Sequence, residues 1–152
     1  TYEQDIQEKN IRIIFDNLTL SLMMEVNVEQ FSKVLAGILK NSMYALLKKS
    51  ETVTFSPEIF LGLKVNKDML EITIRDNGSG IDENIKDKIF APFFTTKTTG
   101  EAAGVGLYLC REIVQNHRGT IEVESKKGEY TQFLITIPVY QPKTITPPKE
   151  EE

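Results

Sequence analysis

The apolar positions along this chain alternate between two spacings, and each change of spacing marks a new element. Phe31, Val34, Leu35, Ile38, Leu39, Ala45 and Leu46 recur at three- and four-residue intervals, the period of one helix face. This predicts a long helix from Val28 to about Lys49, with Asn27 placed to cap it. A second helical run extends from Val105 to about His117, and Arg118-Gly119 predicts its stop. Runs rich in β-formers surround these helices. Ile11–Phe15 and Leu18–Val26 read as strands around Asp16-Asn17. Ile59–Val65 and Met69–Ile74 form a hairpin around Asn66-Lys67-Asp68, and Thr120–Ser125 and Gln132–Val139 form another, turning at Lys126-Lys127-Gly128-Glu129. A short helix capped by Asp82 is expected within Ile81–Phe90. Ala91–Ala103, rich in Thr, Gly and Ala without periodicity, reads as a mobile loop. Strands and helices in this order imply a mixed, mainly antiparallel sheet with helices on one face, a two-layer α/β sandwich.

Composition narrows the class. The 152 residues suffice for one domain with a real core. Residues 1–10 read as the tail of an upstream helix or linker, 11–140 as the domain, and 141–152 as a disordered proline-rich acidic tail. A net charge of −4 argues against binding nucleic acid by phosphate neutralisation. No apolar run approaches the roughly 20 residues that span a bilayer, and no signal-peptide pattern opens the chain. The single cysteine, Cys110, excludes an internal disulfide or a multi-cysteine metal cage. A cytoplasmic, reduced setting is expected.

Two glycine-bearing segments carry the candidate chemistry. Arg75-Asp76-Asn77-Gly78-Ser79-Gly80-Ile81 closes the strand run 69–74. An acidic residue there either initiates a simple hairpin turn or presents its carboxylate to a buried ligand. Helix-forming Ile81-Asp82-Glu83 follows where a hairpin would need another strand, which favours the ligand. Gly104-Val105-Gly106-Leu107 opens the second helix, where exposed backbone N–H groups suit an anion. It completes neither a Walker phosphate loop nor the dinucleotide fingerprint. Together the segments suggest a nucleotide site. Asn41 falls on the apolar stripe of the first helix. It is either a core amide bonded to backbone or an oxygen turned toward a hard cation such as Mg2+. Phe93-Phe94-Thr95-Thr96-Lys97 offers either a hydrophobic anchor with a solvated lysine, or a hinge, a docking patch and a phosphate-reaching ammonium. His117 reads as structural or helix-capping and Cys110 as a small core residue.

This set of motifs resembles the ATP-binding catalytic domain of bacterial sensor histidine kinases, within the superfamily of DNA gyrase, Hsp90 and MutL. The resemblance runs from about Val28 to Pro138 and implies the Bergerat-type ATP-binding fold. Phe31–Leu46 resembles the N box, which makes Asn41 the magnesium ligand. Asp76-Asn77-Gly78-Ser79-Gly80-Ile81 matches the first glycine box, which makes Asp76 the acceptor of the adenine amino group, with Gly78 and Gly80 passing close to the base. Ile89–Lys97 resembles the F box, and Gly104-Val105-Gly106-Leu107 the second glycine box at the end of an ATP lid. The resemblance places ATP contacts at Asn41, Ala45, Asp76, Gly78, Gly80, Ile81, Phe90, Thr96, Lys97, Gly104, Val105, Gly106, Leu107 and Thr131. Asn41 and Lys97 become the catalytic pair.

Two departures bear on mechanism. Gly37 stands where gyrase-like and Hsp90-like ATPases carry a catalytic glutamate and many histidine kinases another asparagine. Ala102-Ala103 replaces a more glycine-rich start of the second box. Without a carboxylate four residues before Asn41, phosphoryl transfer to a partner is favoured over hydrolysis. The family's acceptor histidine lies on a separate dimerisation domain, followed closely by an acidic residue, whereas Arg118-Gly119 follows His117. The expectation is a monomeric donor module of a homodimeric parent. It takes ATP and Mg2+ and passes a phosphoryl group to that histidine, which then serves a response regulator. A superfamily ATPase driving conformational change, and a degenerate module docking partners through Phe93 and Phe94, stand as alternatives.

Overall fold

A computed structural model of the chain describes residues 10–16, 27–92, 94 and 105–139. The expected strand Leu18–Val26, most of the loop Ala91–Ala103 and both terminal tails lie outside the described residues.

Among the described residues five strands form one sheet: β1 (Arg12–Asp16), β2 (Glu58–Asn66), β3 (Met69–Asp76), β4 (Thr120–Lys126) and β5 (Tyr130–Pro138). Their spatial order is β1-β2-β3-β5-β4. Helices α1 (Val28–Ser50) and α2 (Val105–Asn116) complete the fold, the two-layer α/β sandwich expected. β1 pairs with β2 in parallel and the other three pairings are antiparallel. The parallel pair follows from the α1 crossover between its strands. The β2–β3 hairpin turns on Lys67-Asp68, with Lys67 at φ 57°.

α1 starts where its cap predicts. Asn27 is extended (φ −73°, ψ 103°), and its side-chain oxygen accepts the Gln30 N–H at 3.0 Å. Glu29 in the first turn and Lys48 and Lys49 in the last complement the helix dipole. Val34, Ile38, Ser42 and Leu46, four apart, form the fully buried row against the sheet. From the sheet, β3 supplies Leu70, Ile72 and Ile74, and β5 supplies Phe133, Ile135 and Ile137. Burying each such side chain stabilises by about 1.5–3 kcal/mol. Cys110 lies in this core as expected, and burial pushes its thiol up to about 11.

α2 ends in a Schellman arrangement, with Gly119 N–H donating to Val114 O and Arg118 N–H to Gln115 O. The left-handed residue is Arg118 (φ 60°), not the glycine. His117 is buried and ties the helices together. Its Nε2 accepts the Asn27 N–H at 3.2 Å, so its proton sits on Nδ1, 2.8 Å from Ile113 O. The expected structural role matches this placement.

The short helix differs from expectation. It is a 3-10 turn at Lys86–Lys88 whose N-cap position is Ile85, without a side-chain cap. Asp82 instead folds its carboxylate onto the Asn84 N–H at 3.0 Å and takes an ion pair from Lys127 at 3.0 Å. A local Asx turn has won over helix initiation.

Candidate functional site

Asp76 is the last residue of β3, opposite Thr131 on β5 and Ile59 on β2. Its carboxylate is 2% exposed. Burial pushes its pKa from 3.8 to about 7, opposed by the Gly78 N–H, the Ser42 hydroxyl and the charge of Lys49. The Gly78 N–H donates to Asp76 Oδ1 at 2.9 Å. Ser42, itself 1% exposed, leans on the carboxylate and favours its charge without closing a hydrogen bond of acceptable geometry, so its Oγ lacks a partner.

The turn after Asp76 is fastened on both sides. Asn77 Oδ1 accepts the Glu58 N–H at 2.8 Å, and its Nδ2 donates to Ser56 O at 2.9 Å. A Cβ on Gly78 would come within 2.7 Å of the Ala45 backbone, so only glycine lets the turn meet α1. Gly80 has φ +67°, and a Cβ there would collide with the Lys126 carbonyl. Ser125 Oγ accepts the Ile81 N–H at 2.8 Å, donates to Tyr130 O at 2.8 Å and lies 3.2 Å from Thr131 Oγ1.

Above this turn opens a cavity of about 540 Å³, within the size range of small-molecule sites. Asp76, Thr131 and Phe133 form its floor; Ser79, Gly80, Ile81, Asp82 and Lys127 flank them. Gly37, Lys40, Asn41, Tyr44, Ala45 and Lys48 line one wall from α1. Ile85, Ile89, Phe94 and the start of α2 at Gly106 and Leu107 close the other side.

Asn41 departs from the stripe expected for it. The core row of α1 runs through Ser42, while Asn41 sits on the neighbouring row, half-buried and facing the cavity. A residue advances about 100° around a helix, so one position separates core from cavity. Its Nδ2 donates to Gly37 O at 3.0 Å, which orients the amide and leaves the oxygen as the polar atom available to a guest.

Of the expected contact residues, Asn41, Ala45, Asp76, Gly80, Ile81, Gly106, Leu107 and Thr131 line this one cavity. Gly78 sits beneath it against Ala45. Phe90 stands behind the floor, edge-on to Phe133 at 6.3 Å between ring centroids, with the Arg111 guanidinium 5.5 Å from its ring. Val105 starts α2. Thr96, Lys97 and Gly104 lie outside the described residues. Sequence reasoning missed Lys40, Ser42, Tyr44, Lys48 and Lys127. The helical phase of Asn41 points to Tyr44 and Lys48, three and seven positions on; nothing local points to Lys127.

A buried acceptor at one end, with an amide oxygen and an ammonium at the other, suits an elongated guest carrying donors on one end and anionic oxygens on the other. Among the described residues no group of three or more His, Cys, Asp or Glu side chains could hold a metal alone.

Residues 27–141 match the family model described as histidine kinase-, DNA gyrase B-, and HSP90-like ATPase. The sensor histidine kinase AtsR of Burkholderia thailandensis is 33% identical over 149 residues, covering 92% of this chain and 24% of that protein. Sporulation kinase E of Bacillus subtilis is 35% identical over 113 residues, covering 74% of this chain and 14% of that protein. Among solved structures, the nucleotide-free catalytic domain of the histidine kinase ThkA superposes with a TM-score of 0.75 at 29% identity, covering 91% of this chain and 85% of that one. The chain spans under a third of the curated relatives it matches.

Proposed function

Because the chain belongs to the histidine kinase-, DNA gyrase B-, and HSP90-like ATPase family, we propose that its cavity binds Mg-ATP as the phosphoryl donor of a sensor histidine kinase. The acceptor is a histidine on a separate dimerisation domain of the parent kinase, which passes the group on to a response regulator in the cytoplasm.

The observation that carries this reading is Asp76: a carboxylate 2% exposed on the floor of a cavity whose far end holds Asn41 and the start of α2. When ionised it is an acceptor only, matched to the exocyclic amino group of adenine. The Ser42 hydroxyl behind it favours the ionised, accepting form of the carboxylate. Apolar Ala45, Ile81, Leu107 and Phe133 enclose the ring system. At the far end, Lys40 offers a point charge and the N-terminal N–H groups of α2 face an anion.

The residues present also fit a magnesium ion, with the Asn41 oxygen as the protein ligand. Bound Mg2+ supplies charge neutralisation across the phosphates. This domain's own contribution is orientation and electrostatics. Gly37 lacks a carboxylate to activate water, and a Cβ at that position would meet Cys110 Sγ at 2.9 Å. This favours transfer to a partner over hydrolysis.

The test mixes the chain with a matched histidine-bearing domain and ATP labelled in the γ-phosphate. Label on the partner's histidine, with near-zero hydrolysis by the chain alone, is expected. Steady hydrolysis without partner would mark an ATPase, and binding without transfer a non-catalytic module.

A further inference from the structure

Four lysines stand near the floor and walls of the cavity, and three of them, Lys40, Lys48 and Lys127, line it. The fourth, Lys49, does not. One residue beyond Lys48, its side chain leaves α1 on the side of the Asp76 turn. Its Nζ donates to Asn77 O at 2.9 Å and lies 4.5 Å from the centroid of the Phe55 ring. Lys49 as a residue is half-buried. The ring holds the stem in place, and the carbonyl it caps belongs to the residue following Asp76.

We infer that Lys49 is a positioning residue for nucleotide recognition: it fixes the turn that carries Asp76 and supplies the cation that acts on its carboxylate. The inference rests on the proposed ATP site and deepens it. The Asn77 side chain is bonded to Glu58 N and Ser56 O, and Lys49 donates to its carbonyl. Asp76 is faced by Ser42 and Lys49 from α1, by Ile59 from β2, and by Thr131 from β5. Tyr44, Lys40, Lys48, Asp82 and Lys127 line the same cavity. The Lys49 ammonium lowers the Asp76 pKa against the rise caused by burial. Lys49 thus works through Asp76, behind the wall, and not by lining the cavity.

The test compares Lys49→Met and Lys49→Arg with the parent, using two readouts. One is the ligand-free titration of the Asp76 carboxyl, followed by carbon NMR. The other is ATP affinity as a function of pH. Lys49→Met should raise the Asp76 midpoint by up to about one unit and weaken ATP binding near pH 7 by about 3- to 10-fold. The deficit should narrow above about pH 9, where the carboxylate is ionised in both proteins. Lys49→Arg, which keeps the charge and a donor, should return both readouts to within about twofold of the parent. Phe55→Leu should move both in the same direction as Lys49→Met by less, so a poorly folded Lys49→Met still leaves a measurement. An unmoved Asp76 midpoint in a chain that binds ATP overturns the assignment, as does a loss that is equal at every pH and not rescued by arginine. A parent that binds no ATP at any pH overturns the reading of the cavity itself, and the recognition role falls with it.

Discussion

At one end of the cavity Asp76 is sealed among β-strands and the turn behind it is hydrogen-bonded to β2, α1 and the β4–β5 hairpin. At the other, Asn41 is half-buried, Lys40 and Gly106 are exposed, and one helix face meets the start of another. The first end is completed by folding; the second presents polar groups that a metal and an anion would complete. The contrast has a physical logic. On the proposed function, an acceptor for a base must not move, whereas groups that hold and release phosphate must trade partners at little cost. Substitutions of the buried groups at the sealed end should therefore alter stability and binding together, and those at the open end should alter binding alone.

The largest effect is expected from Asp76→Asn. The folded pKa of about 7 lies above the ordinary value of 3.8. The folded state holds this proton more tightly than the unfolded chain does. Its contribution is fully present below about pH 4 and is lost as pH rises through about 7. A difference of about three units corresponds to a penalty on the order of 4 kcal/mol above pH 7. Asparagine removes the titration and keeps an oxygen for the Gly78 N–H. The variant should melt higher than the parent near pH 8 and nearly with it near pH 4, while ATP affinity drops about 10- to 100-fold. ATP affinity of the parent should itself rise from about pH 6 to pH 8, as the acceptor form fills. Equal melting at both pH values would mean that Asp76 is not buried as a strained carboxylate.

Next comes Gly80→Ala, which asks an L-residue to hold φ +67° and overlaps the Lys126 carbonyl. Denaturant unfolding should show a loss of about 1–3 kcal/mol, with weaker ATP binding because the Ile81–Ser125 contact shifts. Parent-like unfolding would show that the turn is not locked against the hairpin. At the open end, Asn41→Ala should cost about tenfold in ATP affinity with Mg2+ present. It should change little with a chelator, and the melting temperature should hold. Equal losses with and without Mg2+ would remove the ion from Asn41.

The same contrast governs what was legible in the sequence. Helix α1, its Asn27 cap and both hairpins follow from local period and turn chemistry, and these elements form as expected. The Asp76–Ile81 turn stood out because two glycines follow an acidic strand end, a pattern that also starts simple hairpin turns. The Asn41 row was misplaced by one position, since seven apolar residues define a helix face only to within about one residue's rotation. The Asp82 cap was misread because Asp serves an Asx turn as readily as an N-cap. Ser42 and Lys127 were invisible for a different reason. Ser42 becomes chemistry only when α1 is laid across the end of β3, and Lys127 only when the β4–β5 turn is brought over Gly80. Such placements depend on sheet order, and no local pattern encodes them.

The smallest effects separate the lysines and fix which way the nucleotide lies. Lys40 neighbours Asn41 at the open end, and Lys127 adjoins Gly80 at the sealed end, paired at 3.0 Å with Asp82. That pair is largely exposed, and pairs of this kind contribute little once salt is present. If the triphosphate points toward Asn41, Lys40→Met should weaken ATP binding a few-fold at low ionic strength, with the deficit shrinking as salt is added. Lys127→Met should leave both melting and affinity within about twofold of the parent. The reverse result, a salt-dependent loss at Lys127 and none at Lys40, would put the phosphates over the β4–β5 turn. Asp76 could not then be the residue that reads the base, so this pair of surface changes tests the orientation on which the predicted affinity losses at Asp76 and Asn41 depend.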